Sequence, residues 1–262
     1  MENLQIFLYG LIQGITEFLP ISSSAHLYII GEFFEWEEKG LLLALGAHLG
    51  TLLAVIFSQK KAVFVFNSGN VLKKFSLNSL FSLALVASFP VILIGALITL
   101  LSNNIYQNNL LIIAIASILG GLLLEIADNI NKKDKNKESI NYKQAIIIGF
   151  FQTLALIPGM SRSGTIITAM RFLGMERKFS IKFSLLTSIP VLFLACSYSV
   201  YQVLINYQIF IFKFLIIVIT SFITALISIN FFLLWVNKFS FRIFSIYRVL
   251  LGLLIIIYLS FN

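Results

Sequence analysis

Residues 15–26 read ITEFLPISSSAH and place a carboxylate, three consecutive hydroxyls and an imidazole within ten residues of each other. The surrounding chain is rich in Leu, Ile and Phe, and polar groups are costly to bury in hydrocarbon. An ionisable residue at membrane depth therefore predicts a functional site with a partner elsewhere in the chain. Pro20 ends or kinks any helix that reaches it, so this stretch cannot be one straight membrane helix.

Composition places the whole chain in the membrane. Hydrophobic residues make up 59% and charged residues only 11%, and the mean hydropathy is +0.96, whereas about a quarter of the residues in soluble domains are charged. The length of 262 residues allows roughly six to nine crossings and leaves no room for a soluble domain. The net charge of +8 lies in short clusters between apolar runs, which favours contact with anionic lipid over nucleic-acid binding. The single Cys196 excludes a disulfide framework.

Six uninterrupted apolar stretches are long enough to span a bilayer. They are residues 41–57, 77–101, 110–126, 179–204, 210–236 and 243–260. Two further segments, about 4–30 and 144–173, are apolar but interrupted by Pro, Gly and Ser. The sequence thus predicts an all-α polytopic protein, a single membrane domain over 1–262, with six full transmembrane helices and two re-entrant broken-helix segments.

Loop charges predict the orientation, because Lys and Arg accumulate in cytoplasmic loops. The stretches 58–76, 128–143 and 237–242 carry most of these residues: Lys60, Lys61, Lys73, Lys74, Lys132, Lys133, Lys135, Lys137, Lys143, Lys238 and Arg242. The stretches 102–109 and 206–208 contain none, and 31–40 is acidic with only Lys39. Both termini are then outside, the first broken segment enters from outside, and the second enters from inside.

The two broken segments resemble each other. GLIQ precedes Pro20 and its serines as GFFQ precedes Pro158 and PGMSRS, and SFPVIL at 88–93 echoes SIPVLF at 188–193 despite roughly one extra helix in the first half. With opposite entry sides, this predicts an inverted-topology repeat of about 1–127 and 144–262 joined by the linker 128–143. Broken helices of such repeats typically meet near the midplane and form a site.

The first broken segment offers catalytic groups. Gln13 and Glu17 are four residues apart and share a helical face, and His26 follows Ser23 by three positions. The alternatives are a structural ion pair for Glu17 and a hydrogen-bonded core histidine for His26. One of the three serines is expected to cap the next helix.

The second broken segment, IPGMSRSGTIIT at 157–168, has the pattern of an anion site. Its turn precedes small donors at the start of a helix: Ser161, Ser163, Gly164 and Thr165. Helix N-termini carry free amides and partial positive charge, and Arg162 adds a guanidinium suited to phosphate. The alternative is a helix cap with an arginine that reaches the membrane interface.

QGITEFLPISSSAH and PGMSRSG resemble the two signature motifs of the undecaprenyl-diphosphate phosphatase family of the bacitracin-resistance type, (E/Q)GxTEFLPxSSxxH and PGxSRSxxT. The resemblance extends over essentially the whole chain, including FSLLTSIP at 183–190. It implies a bacterial inner-membrane enzyme that hydrolyses a polyprenyl diphosphate to the monophosphate for reuse in cell-wall synthesis. Because the first broken segment enters from outside, the site is expected to face outside. It also implies a divalent cation, Mg²⁺ or Ca²⁺. Whether the chain forms a homodimer stays open.

Carried over position by position, the resemblance implies catalytic roles for Glu17, His26, Arg162 and Ser23. It also implies cation binding by Glu17 and Gln13, the latter a glutamate in many relatives. Substrate contacts would come from Gln13, Ser22, Ser161, Ser163, Gly164 and Thr165. One position departs from the pattern, because the closing threonine of the second motif falls on Ile166, between Thr165 and Thr168.

Two questions stay open at the level of sequence. The nucleophile can be His26, Ser23 or water, and we favour His26 because a neutral imidazole is nucleophilic near pH 7 whereas a serine needs a base. The rival function is a polyprenyl-phosphate transporter or flippase, since inverted repeats with broken helices are transporter architecture. A nucleophile or base beside a phosphate-binding arginine favours the enzyme, because a carrier does not need one.

Overall fold

A computed structural model of the chain describes residues 2–34, 36, 41–63, 80–101, 109–130, 137–206 and 211–261, and in these the regular structure is helical. The helices are α1 Glu2–Thr16, α2 Ser23–Phe33, α3 Leu41–Ser58, α4 Lys60–Val63, α5 Leu80–Leu101, α6 Leu110–Ile130, α7 Tyr142–Gln152, α8 Arg162–Phe172, α9 Arg177–Asn206, α10 Ile211–Trp235 and α11 Arg242–Phe261, with a 3-10 turn at Thr153–Leu156.

Long apolar helices make the chain a multi-pass membrane protein. Within the described residues, α5, α6, α9, α10 and α11 are long and apolar enough to cross a bilayer, and the apolar part of α3, Leu43–Ser58, is shorter. Each of the six stretches that the sequence predicted as spans coincides with one of these helices to within four residues at either end.

Both broken segments interrupt their helices in the same way. The first passes from α1 through a turn containing Pro20 to α2, and the second passes from α7 through the 3-10 turn and Pro158 to α8. In each, the residue before the second helix has a left-handed backbone, with φ of 72° at Ser22 and 64° at Ser161. They are the two non-glycine residues with positive φ in the described part of the chain. Such conformations cost free energy and persist only where surrounding contacts enforce them.

Small residues let the helices around the first broken segment approach closely. Helix α10 packs against both α1 and α3. A Cβ on Gly14 would lie 2.6 Å from the Ser221 carbonyl oxygen, and one on Gly50 would lie 2.4 Å from that of Val218. Close backbone approach at small residues is how membrane helices associate, since burial of apolar surface drives little within lipid.

The echoing proline motifs lie in α5 and α9, which pack against each other. The Ser88 hydroxyl of α5 donates to the Thr187 carbonyl of α9 at 3.1 Å. The echoing motifs thus lie on two helices that contact each other.

Helix α6 runs to Ile130, three residues into the stretch predicted as the linker, and α7 begins at Tyr142, before that stretch ends.

Many of the loop residues that orient the chain lie outside the described residues. These are Lys39, Lys73, Lys74, Lys132, Lys133 and Lys135, together with 102–108 and 207–208.

Candidate active site

Glu17 is the centre of the site and lies in the turn that follows α1. Its Oε2 accepts hydrogen bonds from Gln13 Nε2 and Ser23 Oγ, both at 2.7 Å. Its Oε1 accepts from Arg162 Nη2, also at 2.7 Å, and this ion pair is largely buried. The partner that a buried carboxylate requires is thus the arginine of the second broken segment. The four-residue spacing of Gln13 and Glu17 does place both side chains on one face.

The tips of the two broken segments are also bonded through a serine. Ser163 Oγ donates to the Leu19 carbonyl oxygen at 2.7 Å and lies 3.1 Å from Ser161 Oγ. Ser161 caps α8, because its Oγ accepts from the Gly164 amide at 3.1 Å. Two segments 144 positions apart therefore form one polar cluster.

Arg162 keeps one edge of its guanidinium unused. Nη2 binds Glu17, whereas Nη1 is buried and has no hydrogen-bond partner among the described residues. A buried donor without a partner is costly, and a ligand oxygen would remove that cost. This arrangement suits a phosphate beside an arginine that is already anchored on a carboxylate.

His26 makes a different set of contacts from Ser23. Its Nδ1 lies 2.7 Å from the Ser22 carbonyl oxygen, and since a carbonyl only accepts, Nδ1 carries the proton. Nε2 then accepts from the Tyr247 hydroxyl at 2.5 Å. His26 and Ser23 are three residues apart on α2 but have different partners. Ser23 donates to Glu17, whereas His26 accepts from Tyr247 of α11.

A cavity of about 230 Å³ opens beside the carboxylate. Its lining comes from α1, α2, Trp36 and α3: Tyr9, Gln13, Ser23, Ser24, Leu27, Tyr28, Gly31, Trp36 and His48. Ser23 and Gln13 thus connect the Glu17 cluster to open space. His26 lies outside this lining, on the side of α2 that stacks on Tyr247.

The remaining predicted residues have local roles. Ser22 occupies the N-cap position of α2 without a capping bond from its side chain, and its Oγ lies 3.2 Å from Ser24 Oγ. The hydroxyls of Thr165 and Thr168 donate to the carbonyls of Arg162 and Gly164, at 2.9 and 2.7 Å. Ile166 is fully buried in the main apolar core. These two threonine hydroxyls therefore brace α8 itself.

The sequence model of the family described as Bacitracin resistance protein BacA matches residues 6–254. The chain belongs to the BacA family. The resemblance read from QGITEFLPISSSAH and PGMSRSG is thereby confirmed.

Three bacterial proteins that are similar to this chain share the name undecaprenyl-diphosphatase. An undecaprenyl-diphosphatase from Marinobacter nauticus is 38% identical over 96% of this chain and 97% of its own length. One from Saccharophagus degradans is 40% identical over 96% of each chain. One from Pelagibacter ubique is 35% identical over 97% of this chain and 96% of its own length. This BacA chain is similar to them along its whole length.

Arg248 is a buried residue that sequence reasoning missed. It is fully buried on α11, and its Nη2 donates to the carbonyls of Gly159 and Met160, at 3.1 and 2.9 Å. Its Nε and Nη1 have no partner among the described residues. Arg248 holds the turn before Arg162, and an arginine within an apolar span was the available signal.

A second missed cluster surrounds Asp128 at the end of α6. Its carboxylate accepts from Arg171 Nε at 2.9 Å and from Arg177 Nε and Nη2 at 2.8 and 2.9 Å. The Phe241 amide donates to it at 3.3 Å. The cluster joins the ends of α6, α8 and α9 to the residue before α11. The carboxylate is buried and accepts four hydrogen bonds from described residues, a pattern typical of a structural ion cluster.

The cation implied by the family has few protein ligands here. Within the described part of the chain, no group of three or more His, Cys, Asp or Glu side chains could hold a metal. Among the described residues, one carboxylate oxygen of Glu17 accepts a single hydrogen bond, and Gln13 donates its amide nitrogen to Glu17, so its amide oxygen has no hydrogen bond there. One carboxylate and one amide fit Mg²⁺, which takes most of its ligands from water and substrate phosphates.

Proposed function

We propose that this protein hydrolyses undecaprenyl diphosphate to undecaprenyl phosphate and phosphate, and so recycles the lipid carrier of cell-wall synthesis. The observation that carries the proposal is the Ser23 hydroxyl donating to the Glu17 carboxylate, with the free edge of Arg162 beside them. A hydroxyl, a base and a phosphate-binding cation are the groups that phosphoryl transfer needs. The names of its BacA relatives agree with this reaction.

Ser23 is the nucleophile in the mechanism that this geometry supports. Its Oγ attacks the terminal phosphorus, its proton passes to Glu17 Oε2, and the P–O anhydride bond breaks so that undecaprenyl phosphate leaves. Arg162 Nη1 and the amides at the start of α8 stabilise the negative charge of the transferring group. Water then hydrolyses phospho-Ser23 and releases phosphate.

His26, which the sequence favoured as the nucleophile, is less well placed for attack. Its Nε2 lone pair accepts a hydrogen bond from the Tyr247 hydroxyl, so it is not free to bond to phosphorus. Ser23, in contrast, already has the base that a serine nucleophile requires. In this proposal His26 holds the Ser22 backbone, and with it the start of α2.

Glu17 and Gln13 hold the divalent cation in this proposal, together with phosphate oxygens of the substrate. The cation, Mg²⁺ or Ca²⁺, would neutralise charge on the diphosphate. The chain's own residues still perform the attack and the proton transfer.

The proposed topology has six transmembrane helices, α3, α5, α6, α9, α10 and α11, and two re-entrant hairpins in an inverted repeat. The matching left-handed serines before α2 and α8 support the repeat. In this orientation both termini and the cavity face the outside of the bacterial inner membrane. Lipid diphosphate released by wall assembly is on that side.

The rival function, transport of a polyprenyl phosphate, needs broken helices but no activated hydroxyl. Purified protein with C55 diphosphate labelled in the terminal phosphate tests the enzyme. We expect phosphate release that a chelator abolishes. Acid-stable phosphoserine at Ser23 should be trapped by rapid quench. An acid-labile phosphoramidate on His26 would reject the serine mechanism, and substrate that stays intact would reject the enzyme.

A further inference from the structure

His48 is the second histidine of the chain and has no role in the reaction described so far. It is the residue that α3 contributes to the lining of the 230 Å³ cavity. Its Nδ1 lies 2.7 Å from the Ala44 carbonyl oxygen in its own helix, so Nδ1 carries the proton. The other ring nitrogen, Nε2, then has a lone pair, and no hydrogen bond of the described residues engages it.

His48 and Ser23 line the same cavity, so the direction of attack at phosphorus decides what this lone pair can do. In-line displacement at phosphorus requires the attacking and leaving oxygens to lie on opposite sides. Water that hydrolyses phospho-Ser23 must therefore arrive across the cavity from Ser23 and Glu17. Glu17 is hydrogen-bonded to Ser23 itself and stands on the wrong side to deprotonate this water. A second base has to come from another wall, and α3 supplies one.

Among the described residues of the lining, the other titratable side chains are Tyr9 and Tyr28. A phenol keeps its proton near neutral pH, whereas a neutral imidazole accepts one there. Within this described lining, His48 is thus the side chain that can act as a base besides the carboxylate cluster.

We propose that His48 is the general base of the second half-reaction, an assignment that rests on the covalent step proposed above. Nε2 takes one proton from water, the water oxygen bonds to the phosphorus of phospho-Ser23, and the P–O bond to Ser23 breaks. The Ser23 oxygen regains the proton held on Glu17. Phosphate leaves, and the proton on His48 then passes to solvent.

Rapid quench of His48→Asn with terminally labelled substrate tests this assignment. We expect steady-state turnover to fall about 100-fold or more, the usual contribution of a general base. Phosphoserine at Ser23 should form at the normal rate and accumulate to near one per protein. His26→Asn is the matched control, because it makes the same change outside the lining and should not accumulate phosphoenzyme. Turnover of His48→Asn within twofold of wild type overturns the proposal.

Chemical rescue separates this role from a structural one. Added imidazole should raise the turnover of His48→Ala at least tenfold. The same concentration should not raise the turnover of His26→Ala. If neither wild type nor variant forms phosphoserine, the covalent step of the proposed function is wrong. Rescue then assigns His48 as the base for direct attack by water. Loss of turnover without rescue in a folded variant rejects His48 as a base in either case.

Discussion

The Tyr247 hydroxyl oxygen lies 2.5 Å from His26 Nε2, and the two rings stack with centroids 5.6 Å apart and an angle of 6°. The next residue, Arg248, donates to the carbonyls of Gly159 and Met160 in the other broken segment. Two consecutive residues of α11 thus hold the two tips that meet at Glu17. The alignment of the site depends on this helix as well as on the motifs.

Tyr247→Phe keeps the stacked ring and removes the hydrogen bond to His26. One such bond contributes about 1 kcal/mol, so we expect the rate of phosphate release to fall about fivefold. Tyr201→Phe removes an exposed hydroxyl from α9 and should leave the rate within twofold. Equal rates for both variants would show that the Tyr247 bond does not align His26.

Arg162→Lys keeps the charge but should lose more than about tenfold in kcat/KM, or roughly 1.4 kcal/mol of transition-state stabilisation. The guanidinium binds Glu17 with Nη2 and leaves Nη1 for phosphate, and a single ammonium cannot serve both. Arg242→Lys, at an exposed arginine 3.8 Å from Glu125, is the control. Activity of Arg162→Lys within twofold of wild type would contradict a role in phosphate binding.

Ser23→Ala should abolish turnover to below about a thousandth of wild type, because it removes the attacking oxygen. Ser24→Ala changes a neighbouring hydroxyl in the same cavity that contacts Ser22 rather than Glu17. We expect a loss of less than fivefold from it. If the two variants lose phosphate release to the same extent, Ser23 is not the nucleophile.

Asp128→Asn should lower stability by about 3 kcal/mol, because it removes the buried carboxylate that pairs with Arg171 and Arg177. Thermal unfolding in detergent measures this as a lower Tm. Glu125→Gln affects a carboxylate whose arginine is exposed and should cost less than about 1 kcal/mol. Equal Tm values for the two variants would mean that the Asp128 cluster contributes no more than a surface ion pair.

Cysteine labelling tests the orientation. In a Cys196→Ala background, we expect a membrane-impermeant thiol reagent to label Ser102→Cys in intact cells and to label Lys133→Cys only after lysis. The reason is the excess of lysine in the loop that contains Lys133. The reverse pattern would turn the cavity towards the cytoplasm and contradict the proposed recycling side.

Much of the fold and part of the site were predictable because their signals lie in short stretches of sequence. Apolar length predicted the five long helices and the shorter α3. Pro20 and Pro158 marked the breaks, and the four-residue spacing of Gln13 and Glu17 predicted a shared face. The contacts of α11 were not predictable in this way, since Tyr247 meets His26 across 221 positions. His48 lies in an apolar helix without a motif, and Asp128 lies at the edge of a polar run. Their roles follow from tertiary packing.

The Glu17–Arg162 pair also constrains how the protein is made. Its members are 145 positions apart, and ribosomes add about 5–20 residues per second, so the carboxylate precedes its cation by roughly 7–30 s. During that interval the Glu17 carboxylate lacks Arg162, and the Leu19 carbonyl oxygen lacks the hydrogen bond from Ser163. A chain that stops before α8 never acquires the counter-charge. The buried Glu17 carboxylate is therefore neutralised only after the second half of the chain has been made.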